Sequence, residues 1–279
     1  MSKPSLFKNP IAYYRRKWYR HKFNHTKFPA MPVLKTINGV QFIFDCNLSP
    51  LVKKMYLNTY QTHVIKAIKK NLKPGDVYFD IGSNIGYTTV IGAGCVGTRG
   101  EVHCFEPVPI YFEYLSNVKA LNPEYNIVSN NFALGESEET CSIFTTTNQS
   151  SIGLNTLLPG IVNANTIADS YTVKVRRLDS YIRENNIPRI SLIKIDVEGY
   201  ELPVLKGTSG YFEEHRNNLP PVVVEVNTPA YALMNTDLKE LEDMMLGYGY
   251  SAYKINGKDK IDIKNIFEQE DVLFKQLTR

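Results

Sequence analysis

Val77-Tyr78-Phe79-Asp80-Ile81-Gly82-Ser83-Asn84-Ile85-Gly86 is the stretch on which the fold turns. Val77 to Ile81 reads as a short buried strand, and a helical pattern from Ile85 to Cys95 follows it. Gly82 permits a tight turn and close backbone approach, and the helix N-terminus offers free N–H groups to a ligand. A strand entering a helix through such a loop is the opening unit of an α/β sheet.

Outward from this unit the alternation continues. Val102 to Phe105 predicts a second strand, Pro109 to Leu121 a second helix with proline in its first turn, and Asn126 to Ser129 a third strand. Residues 135–177 break the rhythm. They are rich in Thr, Ser and Asn, with alternating runs at 140–146 and 171–177, and read as a hairpin-like insertion. Leu178 to Asn185 then predicts a helix, Ser191 to Asp196 a strand, Pro221 to Val226 a strand and Leu238 to Leu246 a helix. Tyr250 to Ile255 and Asp271 to Lys275 close the sheet. The expectation is a doubly wound, mostly parallel α/β sheet of seven strands. In such sheets ligands bind beyond the carboxyl ends of the strands.

Upstream, Asn38-Gly39 between Leu34–Ile37 and Val40–Phe44 has the chemistry of a two-residue hairpin, and Tyr56 to Asn71 predicts a helix. Residues 1–55 are therefore read as a basic, aromatic extension with a hairpin, and residues 56–279 as the main domain with its insertion at 135–177. The first 44 residues hold nine Lys and Arg and no acid; against a whole-chain charge of +4, the remainder carries −5. The four cysteines lack metal-ligand spacing and suit buried positions in a reducing cytosol. No run approaches the roughly 18 apolar residues of a membrane span. The five histidines lie at neither metal nor triad spacing, and His103 reads as a core residue of a strand.

Asp80 to Gly86 spells D-x-G-x-N-x-G. A carboxylate at Asp80 would repel a pyrophosphate but attract the ammonium and cationic sulfur of S-adenosylmethionine. The G-x-G-x-x-G of a nicotinamide oxidoreductase is missing, and so is the G-K-[ST] of nucleotide hydrolysis. Asp80, Gly82, Ser83, Asn84 and Gly86 are thus the candidate cofactor loop. Glu106, ending the second strand, is placed to accept ribose hydroxyls. Asn131, Phe132 and Ala133, after the third strand, offer a polar contact and an apolar wall for adenine.

Ile193-Lys194-Ile195-Asp196-Val197-Glu198-Gly199-Tyr200-Glu201 ends the fourth strand in acids. Together with Asp80–Gly86, Phe105-Glu106-Pro107, Ala133-Leu134-Gly135, Leu178-Asp179-Ser180-Tyr181 and Val204-Leu205-Lys206-Gly207, it resembles the FkbM-type methyltransferases over roughly residues 72–207. Ser83 departs from the alanine common there. The resemblance implies a class I, Rossmann-like methyltransferase fold and O-methyl transfer, often to a sugar or polyketide hydroxyl. It also implies cofactor binding by Asp80, Gly82, Asn84, Gly86 and Glu106, with a site role for Asp196.

A hydroxyl nucleophile must lose its proton as the new bond forms. Asp196 is the first candidate base, Glu225 the second and Glu198 the third; Glu201 is expected to face the next helix, and Lys194 to neutralise a neighbouring acid. Acids gathered in one crevice could instead hold Mg²⁺. Tyr13 to Phe23 interleaves aromatics with cations, and Ile11, Tyr14 and Trp18 share a helix face. That segment suits a docked helix, a peripheral contact with anionic lipid, or nucleic acid. The acceptor expected is a sugar or glycan, with lipid linkage and the inner face of a membrane as extensions of that reading. An RNA methyltransferase using the basic arm is the alternative, although neither a Pro-Cys nucleophile nor an Asp/Asn-Pro-Pro-aromatic motif is present. A cofactor-binding module without catalysis is a further one.

Overall fold

A computed structural model describes residues 10–146, 157–158 and 167–276. Its centre is a sheet of seven strands: β3 (Val77–Ile81), β4 (Glu101–Phe105), β5 (Asn126–Asn130), β9 (Leu192–Ile195), β10 (Val222–Asn227), β11 (Tyr250–Lys254) and β12 (Gln269–Gln276). Their spatial order is β11-β12-β10-β9-β3-β4-β5. β12 runs antiparallel to both its neighbours, whereas β10, β9, β3, β4 and β5 are mutually parallel. The final strand therefore slides between β10 and β11 instead of extending the edge. The strand order reverses beside β3 and β9, which opens a crevice where their carboxyl ends part.

Both faces of the sheet are covered, and each carries an apolar core. One core gathers Tyr78, Val90, Val102 and Leu115 with Val40, Phe42 and Phe44 of the N-terminal hairpin, β1 (Val33–Ile37) and β2 (Val40–Phe44). The other gathers Phe79, Phe105, Ile193, Leu205 and Val224. The hairpin is locked by Asn38, whose side-chain amide donates to Ile91 O at 3.3 Å in α4 (Tyr87–Val96), and by Asn122, which bonds Gln41 at both backbone N and O. It is thus built into the main body.

The helix expected over 56–71 is two helices. α2 (Pro50–Tyr56) starts at a Ser49 cap with proline in its first turn and contains the anticipated boundary at 55/56. α3 (Thr62–Asn71) starts after a connector in which Asn58 (φ 56) and Gln61 (φ 36) are left-handed. Those two residues cannot continue a right-handed helix, so the chain turns there. The insertion forms β7 (Glu139–Thr146) and β8 (Ile167–Arg176), antiparallel, with β6 (Ala133–Leu134) beside β8; most of the loop between β7 and β8 lies outside the described residues.

The basic head is α1 (Pro10–His25). Its far end docks through Phe23 on Phe28, which in turn meets Tyr56. Tyr14 and Trp18, by contrast, are 59% and 55% exposed. The remaining helices used below are α5 (Pro109–Leu121), α6 (Leu178–Glu184) and α7 (Glu201–Lys206).

Candidate active site

The carboxyl ends of β3, β4 and β9 open into a cleft of about 960 Å³, counting its mouth. The loop after β3 forms its floor and is sutured to β4. The N–H groups of Gly82 and Ser83 donate to Phe105 O at 3.1 and 3.0 Å, while the Ser83 hydroxyl donates to Asp80 O and accepts the Phe105 N–H. At Gly82 (φ 75) a Cβ would fall 1.8 Å from the Asp196 carbonyl oxygen, so glycine is what lets the ends of β3 and β9 meet. Gly86 (φ 88) precedes α4 and is packed by Leu115 and Val118 of α5, away from the cleft wall.

Glu106 stands at the mouth of β4 with 4% of its surface exposed. Its carboxylate accepts the Asn84 N–H at 2.9 Å and the Val108 N–H at 2.8 Å. Burial pushes its pKa up to about 7, against the pull of those two donors. Each oxygen accepts one backbone N–H and has capacity for a further hydrogen bond, which suits a diol. Phe132, Ala133 and Leu134 form the adjoining apolar wall. Asn131 does not reach that wall; its amide donates to Glu106 O and Pro107 O and braces the loop carrying Glu106.

Asp80 also differs from its expected place. It is fully buried behind the loop, receives hydroxyls from Thr88 and Thr89 of α4, and lies 3.4 Å from the Lys194 ammonium. The side chain turns to the helix because two threonines there, with Lys194 of β9, satisfy a charge that burial would otherwise make costly.

Across the cleft, Lys194 Nζ sits 3.4 Å from both Asp80 Oδ1 and Asp196 Oδ2 and donates to Gly82 O. Burial alone would lower the Lys194 pKa, but Asp196, Asp80 and Glu225 raise it, so it stays charged. Burial would likewise raise Asp196. Lys194 and donors from Glu225 and Gln61 overcome that and hold it below the usual carboxylate range. Its neighbours move the other way. Burial and the charges of Asp196 and Glu198 push Glu225 up to about 11, and burial with Asp196 and Glu201 raises Glu198. Asp196 is therefore the ionised member, Glu225 carries its proton at neutral pH, and Glu198 is held above the usual carboxylate range.

Oxygens of Asp196, Glu198 and Glu225 lie within 4.8 Å of one another. A divalent cation there would share Asp196 with the Lys194 ammonium, so the site fits a proton-sharing cluster with its own cation better than Mg²⁺. Asp196 and Glu198 line the cleft, and Glu225 backs Asp196. Glu201, at the start of α7, is fully buried and accepts the Gly199 N–H at 2.7 Å. His103 is a core residue bonded to the Tyr181 hydroxyl of α6.

The sequence reading missed the roof of the cleft. Ser49, Leu51, Val52 and Met55 of the α2 region line it with Tyr60 and Gln61 of the connector. The Ser49-Pro50 pair was a legible helix start; nothing local announced that the helix would cover a site built from residues 81–200.

The chain matches the family model described as methyltransferase FkbM domain over residues 80–252. It is 29% identical over 164 residues to the hexuronic acid methyltransferase AglP of Haloferax volcanii, covering 59% of this chain and 61% of that protein. It is 29% identical over 185 residues to the methyltransferase sdnD of Sordaria araneosa, covering 57% and 70%. Against the crystal structure of methyltransferase FkbM from Methylobacillus flagellatus the TM-score is 0.46 at 18% identity, covering 80% of this chain and 54% of that one. The match thus spans about six-tenths of the length of the archaeal relative.

Proposed function

This chain belongs to the methyltransferase FkbM family, and on that premise we propose that it moves a methyl group from S-adenosylmethionine to a hydroxyl of a sugar or glycan. The observation that carries the reading is the placement of Glu106 and an ionised Asp196 on two walls of one cleft, with the Gly82 loop between them. Glu106 and the Phe132–Leu134 wall would hold the adenosine; the loop, with Asp80 and Lys194 behind it, would hold the amino-acid end. When bound, this cofactor supplies a methyl group on a cationic sulfur.

In the transfer the C–S bond breaks, a C–O bond forms, and the acceptor hydroxyl gives up its proton. Asp196 takes that proton. Its basicity is modest, but the hydroxyl becomes strongly acidic as its oxygen bonds to carbon, so an ionised acceptor in reach is what the step requires. Orientation by the surrounding wall supplies the larger share, on the order of 7–11 kcal/mol for well-held reactants. The apolar roof (Leu51, Val52, Met55) and the side wall (Ile143, Leu157, Tyr200) fit the ring faces of a sugar.

The hexuronic acid relative suggests sugar chemistry for this chain. The one cation on the cleft wall among the described residues is Lys194, already committed to Asp80 and Asp196, and residues 140–168 contain no charged side chain. The acceptor hydroxyl is therefore read as one remote from any carboxylate of the same sugar. The exposed Tyr14 and Trp18 of α1, with the surrounding cations, support peripheral contact with an anionic membrane that carries lipid-linked glycan.

Radiolabelled methyl cofactor incubated with fractionated glycans, lipids and RNA tests the reading. Label in glycan or glycolipid is the expected result. Label confined to RNA would overturn it in favour of the basic arm as an RNA-binding element.

A further inference from the structure

We propose that Gln61, carried into the cleft by the connector between α2 and α3, is a positioning residue that keeps the negative charge of the acid cluster on Asp196. The inference rests on the reading of Asp196 as the base and adds a residue from outside the matched family region, which begins at residue 80.

Gln61 donates from Nε2 to Asp196 Oδ2 at 3.1 Å, across 135 residues of sequence. A carboxylate only accepts, so the amide nitrogen is the end that must face it. Gln61 stands at the N-cap of α3, where Ser, Asp or Asn would normally bond the free N–H groups, yet its side chain makes no capping bond. Its backbone is left-handed (φ 36, ψ 44), a conformation that favours glycine. Neither helix start nor turn explains glutamine here; the Asp196 contact does.

The need for such a donor follows from the cluster. Three carboxyl groups with oxygens inside 4.8 Å cannot all ionise in a site largely removed from water. Lys194 favours Asp196 but is shared with Asp80, and Gln61 brings a second donor to the same Asp196 oxygen, Oδ2. Glu198 Oε2 and Glu225 Oε2 are buried without partners. Gln61 reaches Asp196 and is uncharged, so it favours one ionisation without adding to the charge. The groups facing Asp196 are Lys194 and Asp80 from β9 and β3, Glu198 and Glu201 after β9, Glu225 from β10, and Tyr60 beside Gln61; Asp271 of β12 acts on Glu225 and Tyr60. Among the uncharged donors to the Asp196 carboxylate, Gln61 alone comes from the roof.

Carboxyl-¹³C NMR of the full chain, with the Asp196 resonance identified by its loss in Asp196→Asn, provides the test without any acceptor. In Gln61→Ala the Asp196 midpoint should rise by roughly one to two pH units, the worth of a hydrogen bond to a charged group. Gln61→Gly relieves the left-handed backbone, so its melting temperature should hold or rise while the Asp196 midpoint moves as it does in Gln61→Ala. In transfer assays the acid limb of the kcat pH profile should rise by the same roughly one to two units in both variants, so the loss of rate is confined to acid pH and the cofactor KM is kept. An Asp196 resonance and acid limb that stay in place in both variants would overturn the inference. Should Asp196→Asn remain active, the base assignment fails on its own, and the Gln61 titration result still stands or falls separately.

Discussion

Glu106 at the end of β4 and Glu225 on β10 are both carboxyl groups withdrawn from water, yet they are treated differently. Glu106 receives two backbone N–H groups, and its pKa climbs only to about 7. Glu225 leaves Oε2 buried without a partner, faces Asp196 and Glu198, and climbs to about 11. On the cofactor side of the crevice the fold offsets the cost of burying an acid with its own backbone. On the acceptor side it leaves that cost standing. Glu106 is thereby fixed by backbone donors, whereas Glu225 keeps its proton and shares it with Asp196, the ionised member of the cluster.

Asp196→Asn should strain this comparison most. The shape is kept and the base removed, so turnover should fall about 10²–10⁴-fold while affinity for S-adenosylhomocysteine by calorimetry stays near wild type. Collapse of cofactor affinity would place Asp196 with Glu106 on the binding side. Turnover abolished by Glu225→Gln but kept in Asp196→Asn would move the base by one strand.

Glu106→Ala is the matching change on the other side. Loss of a charge-assisted hydrogen bond should weaken S-adenosylhomocysteine binding by about 1.5–3 kcal/mol. The carboxylate form accepts hydroxyl protons from both sides of a diol, and it is populated as pH rises through about 7. Wild-type affinity should therefore strengthen across that range, and Glu106→Gln should flatten the dependence. Calorimetry at a series of pH values reads both effects.

What could be read in advance follows the same division. The Gly82 loop, Glu106 and the ends of β3, β4 and β9 are local: each strand, turn and acid sits within a few residues, and apolar periodicity marks where strands stop. Asp80 was placed correctly on its strand, but its partners Thr88 and Thr89 lie in the first turn of the helix and take its side chain away from the cleft. The roof is not local at all. Gln61 meets Asp196 only because the β1–β2 hairpin packs on α4 and α5 and brings α2 across the crevice. The placement of β12 between β10 and β11 is likewise a matter of pairing, on which a strand's own residues are silent.

Glu225→Gln sharpens the comparison through stability. An acid whose folded pKa is raised from 4.5 to about 11 holds a proton that the unfolded chain releases, so it costs stability increasingly as pH rises above 4.5. Gln removes that cost. The variant should be more stable than wild type by about 1–3 kcal/mol at neutral pH and gain nothing in acid below the unfolded value. Denaturant unfolding at the two pH values checks it. An equal gain at both would mean better packing and not a titrating acid.

The smallest effect on the crevice is expected from α1. It approaches the body through Phe23 and Phe28, and among the described residues none before Ser49 lines the cleft. Deleting residues 1–28 should leave affinity for S-adenosylhomocysteine unchanged within error. The same deletion should abolish co-sedimentation with anionic vesicles, because Arg16, Lys17 and Arg20 are exposed beside Trp18 and Tyr14. Each cation near such a surface contributes about 1 kcal/mol. The attraction fades over a Debye length of about 8 Å, so full-length chain should be released as salt rises. Equal binding to neutral vesicles would assign the contact to the aromatic residues alone. Tighter binding to RNA than to vesicles would transfer the head to a nucleic-acid partner. Loss of folding on deletion would show that Phe28, and not the charge, is what the segment contributes, since its ring packs against Phe23 and Tyr56 beneath the Lys53 ammonium.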